Sequence, residues 1–257
     1  MDNFKLKIGL FDSGIGGFSI LQELMLSRLN AEYFYIGDKK FSPYGNKTPE
    51  FIQSRCIELG AKLLEKNVDL IIVACNSATT HGVKVMRDVF DTPIVGVEPY
   101  VNYLNKNPNL DGECGLITTL ATSKAEKFLD LKRKLDPEGK IKHYITPNLA
   151  SLVEQRFNRD ISEEDFLQQL HDQLRFLVHE NLKHLILGCT HYPLVKKDIE
   201  NFLSVKTICP SASVAQRVIS LVDDKFLLDE TTGLDSFWYS SGPDETGQML
   251  SMKELAI

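Results

Sequence analysis

Short apolar runs alternate with helical patterns along most of this chain, and the alternation limits the folds that it can adopt. The runs that we interpret as strands span residues 8–11, 33–36, 70–74, 94–97, 115–118, 185–187 and 207–208. Several are apolar on both faces, as parallel strands are when helices cover both sides of a sheet. The alternation therefore predicts an α/β fold of mostly parallel sheets flanked by helices.

Capping signals mark the start of two of the intervening helices. Thr48 can cap the first, with Pro49 at its first helical position. Ser162 can cap the second, in a capping-box spacing with Asp165. In parallel sheets covered by helices, ligands bind beyond the carboxyl ends of the strands. We therefore look for functional residues directly after the strands.

Two of the strand ends resemble each other. Leu70–Ser77 has the sequence LIIVACNS, and His184–His191 has the sequence HLILGCTH. In both, an apolar run gives way to one small residue, a cysteine and hydrogen-bonding residues. The echo predicts two similar domains whose strand ends face one cleft, which would hold the active site. We place residues 1–97 and 209–257 in the first domain and residues 98–208 in the second.

The chain has five cysteines, an odd number that includes no CxxC pair. Neither a disulfide framework nor a zinc ribbon fits such a set, so each cysteine is expected to be a buried apolar residue or a reactive thiol. Cys56, Cys114 and Cys209 are best explained as core residues. Cys75 and Cys189 follow strands at equivalent positions, where a helix N-terminus can lower the pKa of a thiol. These two are the candidate reactive thiols.

A glycine-rich loop, FDSGIGGF, follows the first strand at Phe11–Phe18. The helix that would begin near Phe18 offers free N–H groups and a positive dipole end to an anion. The dinucleotide pattern GxGxxG is not met, because Ser19 stands at the third glycine position and Asp12 would repel a phosphate. The loop therefore favours a carboxylate over a nucleotide, with a simple tight turn as the alternative.

Charge and composition narrow the function classes further. The formal net charge of −6 argues against nucleic acid, because phosphate binding needs a basic face. The apolar runs are far shorter than the ~20 residues of a membrane helix, and the first residues lack a signal-peptide pattern. The pair Cys189 and His191 lacks further ligands at a usable spacing for a metal. We expect a cytoplasmic protein with a small-molecule substrate, no membrane partner and no metal.

The chain closely resembles the glutamate racemase family in five stretches, which occur in the family's order and spacing. They are FDSGIGG at 11–17, PYG at 43–45, ACNSAT at 74–79, GVEP at 96–99 and GCTHYPL at 188–194. The last is the most specific, because related aspartate racemases usually have GCTE there. The resemblance implies two α/β domains with the active site between them, glutamate bound without pyridoxal phosphate or another cofactor, and two cysteine bases.

The resemblance also implies roles for individual residues, carried over by matching motif. The implied catalytic residues are Cys75, Cys189, Asp12, His191 and Glu154. The implied substrate-binding residues are Asp12, Ser13, Tyr44, Gly45, Asn76, Ser77, Thr190 and His191. Asp12 and His191 are expected to assist the thiols, and Glu154 to be a helper carboxylate near the second cysteine. Without the resemblance, Glu154 is better explained as a solvated helix charge.

Two positions depart from the family pattern. Ser77 stands where the family usually has threonine, so the hydroxyl is kept and a methyl group is lost. Cys209 stands before Pro210, where the family commonly has aspartate. The resemblance therefore gives Cys209 no role.

The expected function is the cofactor-independent interconversion of L-glutamate and D-glutamate, with Cys75 and Cys189 acting on opposite faces of Cα. By family analogy, Cys75 takes the proton from D-glutamate, Cys189 takes it from L-glutamate, and the D-glutamate feeds peptidoglycan synthesis in a homodimeric enzyme. Three alternatives stay open: a related racemase acting on aspartate or a hydantoin, a non-catalytic amino-acid-binding regulator, and a cysteine hydrolase. A regulator needs no acid–base pair, and a hydrolase needs only one nucleophile.

Overall fold

The structure is a computed structural model that describes residues 5–99, 102–230 and 236–255. The strands are β1 (Leu6–Asp12), β2 (Ala31–Gly37), β3 (Leu70–Val73), β4 (Ile94–Gly96), β5 (Glu113–Thr118), β6 (Ile141–Ile145), β7 (Leu182–Leu187), β8 (Lys206–Ile208), β9 (Ser236–Ser240) and β10 (Gln248–Ser251). The α-helices are α1 (Phe18–Met25), α2 (Pro49–Leu64), α3 (Asn76–Val89), α4 (Tyr103–Lys106), α5 (Leu120–Lys124), α6 (Glu126–Leu135), α7 (Leu149–Asn158), α8 (Glu163–Leu174), α9 (Lys196–Leu203) and α10 (Ser211–Ile219).

The described strands form two sheets. The first has the order β10-β9-β2-β1-β3-β4, and the second has the order β6-β5-β7-β8. Paired neighbours run parallel, except β9 and β10, which run antiparallel. Leu10 and Ile72 of the first sheet belong to one apolar cluster, whereas Phe11 and Val73 belong to a second, so both faces of this sheet are covered. The predicted α/β fold class with mostly parallel sheets is confirmed.

The capping predictions are confirmed as well. Thr48 Oγ1 accepts the N–H of Phe51 at 3.3 Å, and Ser162 Oγ accepts the N–H of Asp165 at 3.1 Å. The helix after the glycine-rich loop begins at Phe18, as expected. Within the described ranges, no helix has both the length and the apolar character needed to cross a membrane.

The structure contains strands β6, β9 and β10, which the sequence pattern does not predict. β6 and β10 lie at sheet edges, and most of their residues are partly or fully exposed, so neither forms a continuous apolar run. β9 pairs with β2 in parallel and therefore returns the end of the chain to the first sheet. We propose that the domain boundaries fall as the sequence predicts, because strands before residue 97 and after residue 209 share one sheet and the rest form the other.

The side chain of Phe18, at the start of α1, packs against residues of the first sheet and of α7. Its side chain is almost fully buried, and its ring centroid lies 4.6 Å from that of Tyr35 and 5.8 Å from that of Phe237 in the first sheet. The ring of Phe157, on α7, lies 6.1 Å away. This packing fixes the helix that directly follows the glycine-rich loop.

Replacing Phe18 with alanine should lower the free energy of unfolding by about 3–5 kcal/mol, because a fully buried ring is lost and a cavity remains. Urea denaturation followed by circular dichroism measures this loss. Phe176→Ala is the matched control, because Phe176 is 45% exposed, and its loss should be much smaller. Equal losses in the two variants would contradict the packing described above.

Candidate active site

A buried hydrogen bond joins the carboxyl ends of β1 and β7. Asp12, the last residue of β1, accepts the N–H of Gly14 on Oδ1 at 2.7 Å and the hydroxyl of Thr190 on Oδ2 at 3.0 Å. Thr190 follows β7 in the second sheet. Burial raises the pKa of the Asp12 carboxyl, and the neighbouring His191 charge opposes this rise. The carboxyl ends of one strand from each sheet therefore meet at this point.

The glycines of the loop after β1 allow side chains of the second half to approach it closely. A Cβ atom at Gly16 would lie 2.5 Å from Nδ1 of His191 and 2.6 Å from Oγ1 of Thr190. A Cβ atom at Gly14 would overlap Oε1 of Glu154. Glycine is needed at both positions, because any side chain there would overlap these atoms.

Cys75 caps α3 and is almost fully buried. Its sulfur accepts the N–H of Ala78 at 3.5 Å, and its thiol donates to Ser13 Oγ at 3.8 Å. Burial raises the pKa of the Cys75 thiol well above its usual range, and the Asp12 carboxylate raises it further. The helix N-terminus is present as predicted, but the expected lowering of this pKa is wrong, because burial outweighs the N–H of Ala78.

Cys189 follows β7 and is equally buried. A 3-10 turn at Tyr192–Val195 comes next, and α9 begins only after it. The Cys189 sulfur lies 3.8 Å from Nδ1 of His191. A negative charge on Cys189 would raise the pKa of Cys75 further.

His191 and Glu154 form a buried pair behind Cys189. Nε2 of His191 lies 2.7 Å from Oε1 of Glu154. Burial opposes the charged imidazolium, but hydrogen bonds with Cys189 and Glu154 outweigh it and raise the pKa of His191 well above its usual range. Burial likewise opposes the Glu154 carboxylate, but the bond from His191 helps to hold its pKa below the usual range. The pair is therefore charged at neutral pH, and the interpretation of Glu154 as a solvated helix charge is wrong.

The first turn of α3 presents polar groups beside Cys75. Nδ2 of Asn76 donates to the carbonyl of Val97 at 3.3 Å, while its Oδ1 is buried without a partner among the described residues. The Ser77 hydroxyl lies 3.0 Å from Oγ1 of Thr119, which in turn lies 3.1 Å from Oγ1 of Thr122. Thr119 and Thr122 are not among the site residues predicted from the sequence, although Thr119 directly follows β5, as other site residues follow their strands.

Gly45 of the PYG motif lies against Thr119, one member of this hydroxyl cluster. A Cβ atom at Gly45 would lie 3.0 Å from Cβ of Thr119. The side chain of Tyr44 is fully buried and its hydroxyl donates to Asp38, which also accepts two hydrogen bonds from Arg55 at 2.8 Å. The Tyr44 hydroxyl is thus engaged inside the protein.

The surroundings of Cys56, Cys114 and Cys209 differ from those of Cys75 and Cys189. All five are free thiols; Cys56 and Cys114 are buried, and Cys209 is half-buried with its sulfur 3.0 Å from the Ser211 hydroxyl. Burial raises the pKa of Cys114 to about 12. In the part of the chain that the structure describes, no group of three or more His, Cys, Asp or Glu side chains could hold a metal ion.

Known proteins are similar to this chain over most of its length. Residues 24–218 match the family described as Asp/Glu/Hydantoin racemase. A glutamate racemase from Pseudomonas syringae pv. tomato is 33% identical over 247 residues, which cover 95% of this chain and 88% of the relative.

Solved structures agree with this match. Glutamate racemase from Escherichia coli, in complex with L-glutamate and an activator, has a TM-score of 0.78 at 27% identity and covers 92% of this chain and 88% of that one. Glutamate racemase from Francisella tularensis, in complex with D-glutamate, has a TM-score of 0.71 at 29% identity and covers 89% of this chain and 85% of that one. The chain therefore belongs to the Asp/Glu/hydantoin racemase family.

Proposed function

We propose that this chain interconverts L-glutamate and D-glutamate without a cofactor, by proton transfer between Cα and the thiols of Cys75 and Cys189. The observation that carries the proposal is that the two buried thiols share one site: Asp12 directly precedes Ser13, which the Cys75 thiol contacts, and bonds to Thr190, which follows Cys189. Cys75 lies near Asp12, and Cys189 lies beside His191. The similarity to glutamate racemases, two of them solved with opposite enantiomers of glutamate, supports glutamate as the substrate.

Racemisation removes the Cα proton on one face and returns a proton on the other. Two fixed bases avoid the need for one base, or the substrate, to swing round. Because its pKa is raised, Cys75 rests as the thiol at neutral pH. The charged imidazolium of His191 lies beside the Cys189 sulfur, which favours Cys189 as the base in this resting form. This resting form removes the proton from L-glutamate through Cys189 and delivers the Cys75 proton to the opposite face.

The reverse reaction needs the two thiols to exchange protonation states. In the proposed exchange, Cys75 passes its proton to Asp12, whose raised pKa lets it hold a proton, and His191 gives a proton to Cys189. The Cys75 thiolate then removes the proton from D-glutamate, and the Cys189 thiol protonates the other face. Asp12 and His191 thus serve one sulfur each, as general acid–base groups with shifted pKa values do.

The carbanion that forms next to a carboxylate must be stabilised by hydrogen-bond donors. The site offers the second amide hydrogen of Asn76, the Ser77 hydroxyl and the first N–H groups of α3, whereas the Thr190 hydroxyl donates to Asp12. One preorganised donor of this kind contributes about 2.7–4 kcal/mol in other enzymes. Such donors also explain how a chain with a net charge of −6 binds an anionic substrate.

We also propose that the chain acts in the cytoplasm as a homodimer, and that its D-glutamate is used for peptidoglycan. The resemblance to glutamate racemases supports these assignments. The proposed location, oligomeric state and use of the product do not affect the chemistry of the site, because its residues all come from one chain.

Wild-type protein without added cofactor should convert either glutamate enantiomer to the racemate, as followed by circular dichroism. Cys75→Ala and Cys189→Ala should each lower kcat/KM about 10²–10⁴-fold, because one acid–base group is lost. The two enantiomers have equal free energies in solution, so kcat/KM must fall equally in both directions. Aspartate and a hydantoin in the same assay test the related-racemase alternatives.

Solvent exchange in deuterated water separates the roles of the two thiols. Cys75→Ala should retain slow exchange of the Cα proton of L-glutamate only, and Cys189→Ala that of D-glutamate only. Cys114→Ala is the control and should racemise normally, because Cys114 belongs to a different apolar cluster from Cys75 and Cys189. Near-normal racemisation by either Cys75→Ala or Cys189→Ala would contradict the two-base proposal.

Substitution of Asp12 or His191 with asparagine should lower kcat about 10²-fold or more, because the nearby sulfur loses its acid–base partner. Thermal unfolding of the same variants should show a much smaller change than turnover does. Normal turnover in both variants would remove these residues from the mechanism.

A further inference from the structure

Ser42 links the loop before the PYG motif to the charged pair behind Cys189. It lies between two 3-10 turns, Lys39–Phe41 and Tyr44–Asn46. Its hydroxyl donates to Oε1 of Glu154 at 2.9 Å. Ser42 follows β2 in the first sheet and Glu154 lies on α7, which follows β6 in the second, so this bond crosses between the halves.

The same oxygen of Glu154 accepts three donors. They are the Ser42 hydroxyl at 2.9 Å, the N–H of Ile15 at 3.0 Å and Nε2 of His191 at 2.7 Å. Two of these donors come from the first half, and the third is the ring that contacts Cys189 at 3.8 Å. The direction of the carboxylate therefore depends on Ser42 and Ile15, and the orientation of the His191 ring depends on the carboxylate.

A buried ion pair holds the loop that carries Ser42. Asp38 is almost fully buried and accepts two hydrogen bonds from Arg55, each of 2.8 Å, and one from Tyr44. The N–H of Asp38 donates to the carbonyl of Asp12 at 3.0 Å, which fixes the loop to the end of β1. These contacts hold the loop that carries Ser42 against the end of β1.

We propose that Ser42 is a positioning residue for the His191–Glu154 pair, and that its bond to Glu154 couples the approach of the two halves to the alignment of His191 with Cys189. The inference rests on the proposed function in one respect: it assumes that Cys189 is one of the two bases. Loss of the hydroxyl leaves the carboxylate with one donor fewer, which raises the pKa of Glu154 and loosens the ring of His191.

The charged and titratable groups around Glu154 stay the same in a Ser42 variant. His191 is bonded to the carboxylate, and Asp12, Tyr35 and Tyr239 lie near enough to interact with it electrostatically. A change in the titration of Glu154 in such a variant therefore reports the lost hydroxyl.

The test compares Ser42→Ala with Ser42→Thr, which restores the hydroxyl. The pKa of Glu154 is read from its carboxyl carbon by NMR, with the resonance assigned by its absence in Glu154→Gln. Ser42→Ala should raise this pKa by about one unit and lower kcat about tenfold, with a smaller change in KM. It should also move the acidic limb of kcat/KM to higher pH, and Ser42→Thr should recover all of these values.

Asn46→Ala is the matched control on the same loop. Asn46 donates to the carbonyl of Pro147 at 3.4 Å, so this variant also loses a contact between the halves but none to Glu154. It should leave the Glu154 titration unchanged. An unchanged titration and kcat in Ser42→Ala, or an equal shift in Asn46→Ala, would overturn the inference.

The two proposals fail in different ways. If the wild-type protein does not racemise glutamate, the proposed function fails, while the carboxyl titration still tests the effect of Ser42 on Glu154. If the wild type racemises glutamate and Ser42→Ala matches it in every readout, only the role of Ser42 fails.

Discussion

A single carboxylate oxygen, Oε1 of Glu154, holds together the half of the site that contains Cys189. A buried carboxylate is costly unless it is paired and hydrogen-bonded, and removing a partner from such a group is strongly destabilising. This oxygen meets that requirement with one imidazole and two donors from the opposite half. Its position therefore depends on both halves at once, and the position of His191 follows from it.

The two thiols are equivalent in the sequence echo but differ in their electrostatic surroundings. Cys75 lies near the carboxylate of Asp12, whereas Cys189 lies beside the imidazolium of His191. The two thiols therefore have different electrostatic surroundings, which is a condition of the proposed two-base mechanism. The duplication of a strand-end motif thus provides the two sulfurs, and the residues around each copy provide the difference between them.

The sequence predicts those features that depend on local patterns. Residues close together in the sequence determine the apolar runs of β1, β3 and β7. They also determine the caps at Thr48 and Ser162 and the start of a helix at Phe18. Edge strands such as β6 are missed, because exposure to solvent removes the apolar run that identifies a buried strand.

Features that depend on contacts between distant residues are not predictable in this way. The burial of Glu154 is an example, since His191 lies 37 positions further along the chain. The raised pKa of Cys75 is another, because a helix N-terminus is visible in the sequence while the degree of burial is not. The hydroxyl cluster of Ser77 and Thr119 likewise forms only when α3 and α5 come together.

A crystal structure of the chain with glutamate bound most directly tests the proposal that the thiols of Cys75 and Cys189 act on opposite faces of Cα. The account predicts that Sγ of Cys75 and Sγ of Cys189 lie on opposite faces of the glutamate Cα, each about 3–3.5 Å away, as reacting atoms do. Both sulfurs on the same face of Cα, or in separate cavities, would contradict it.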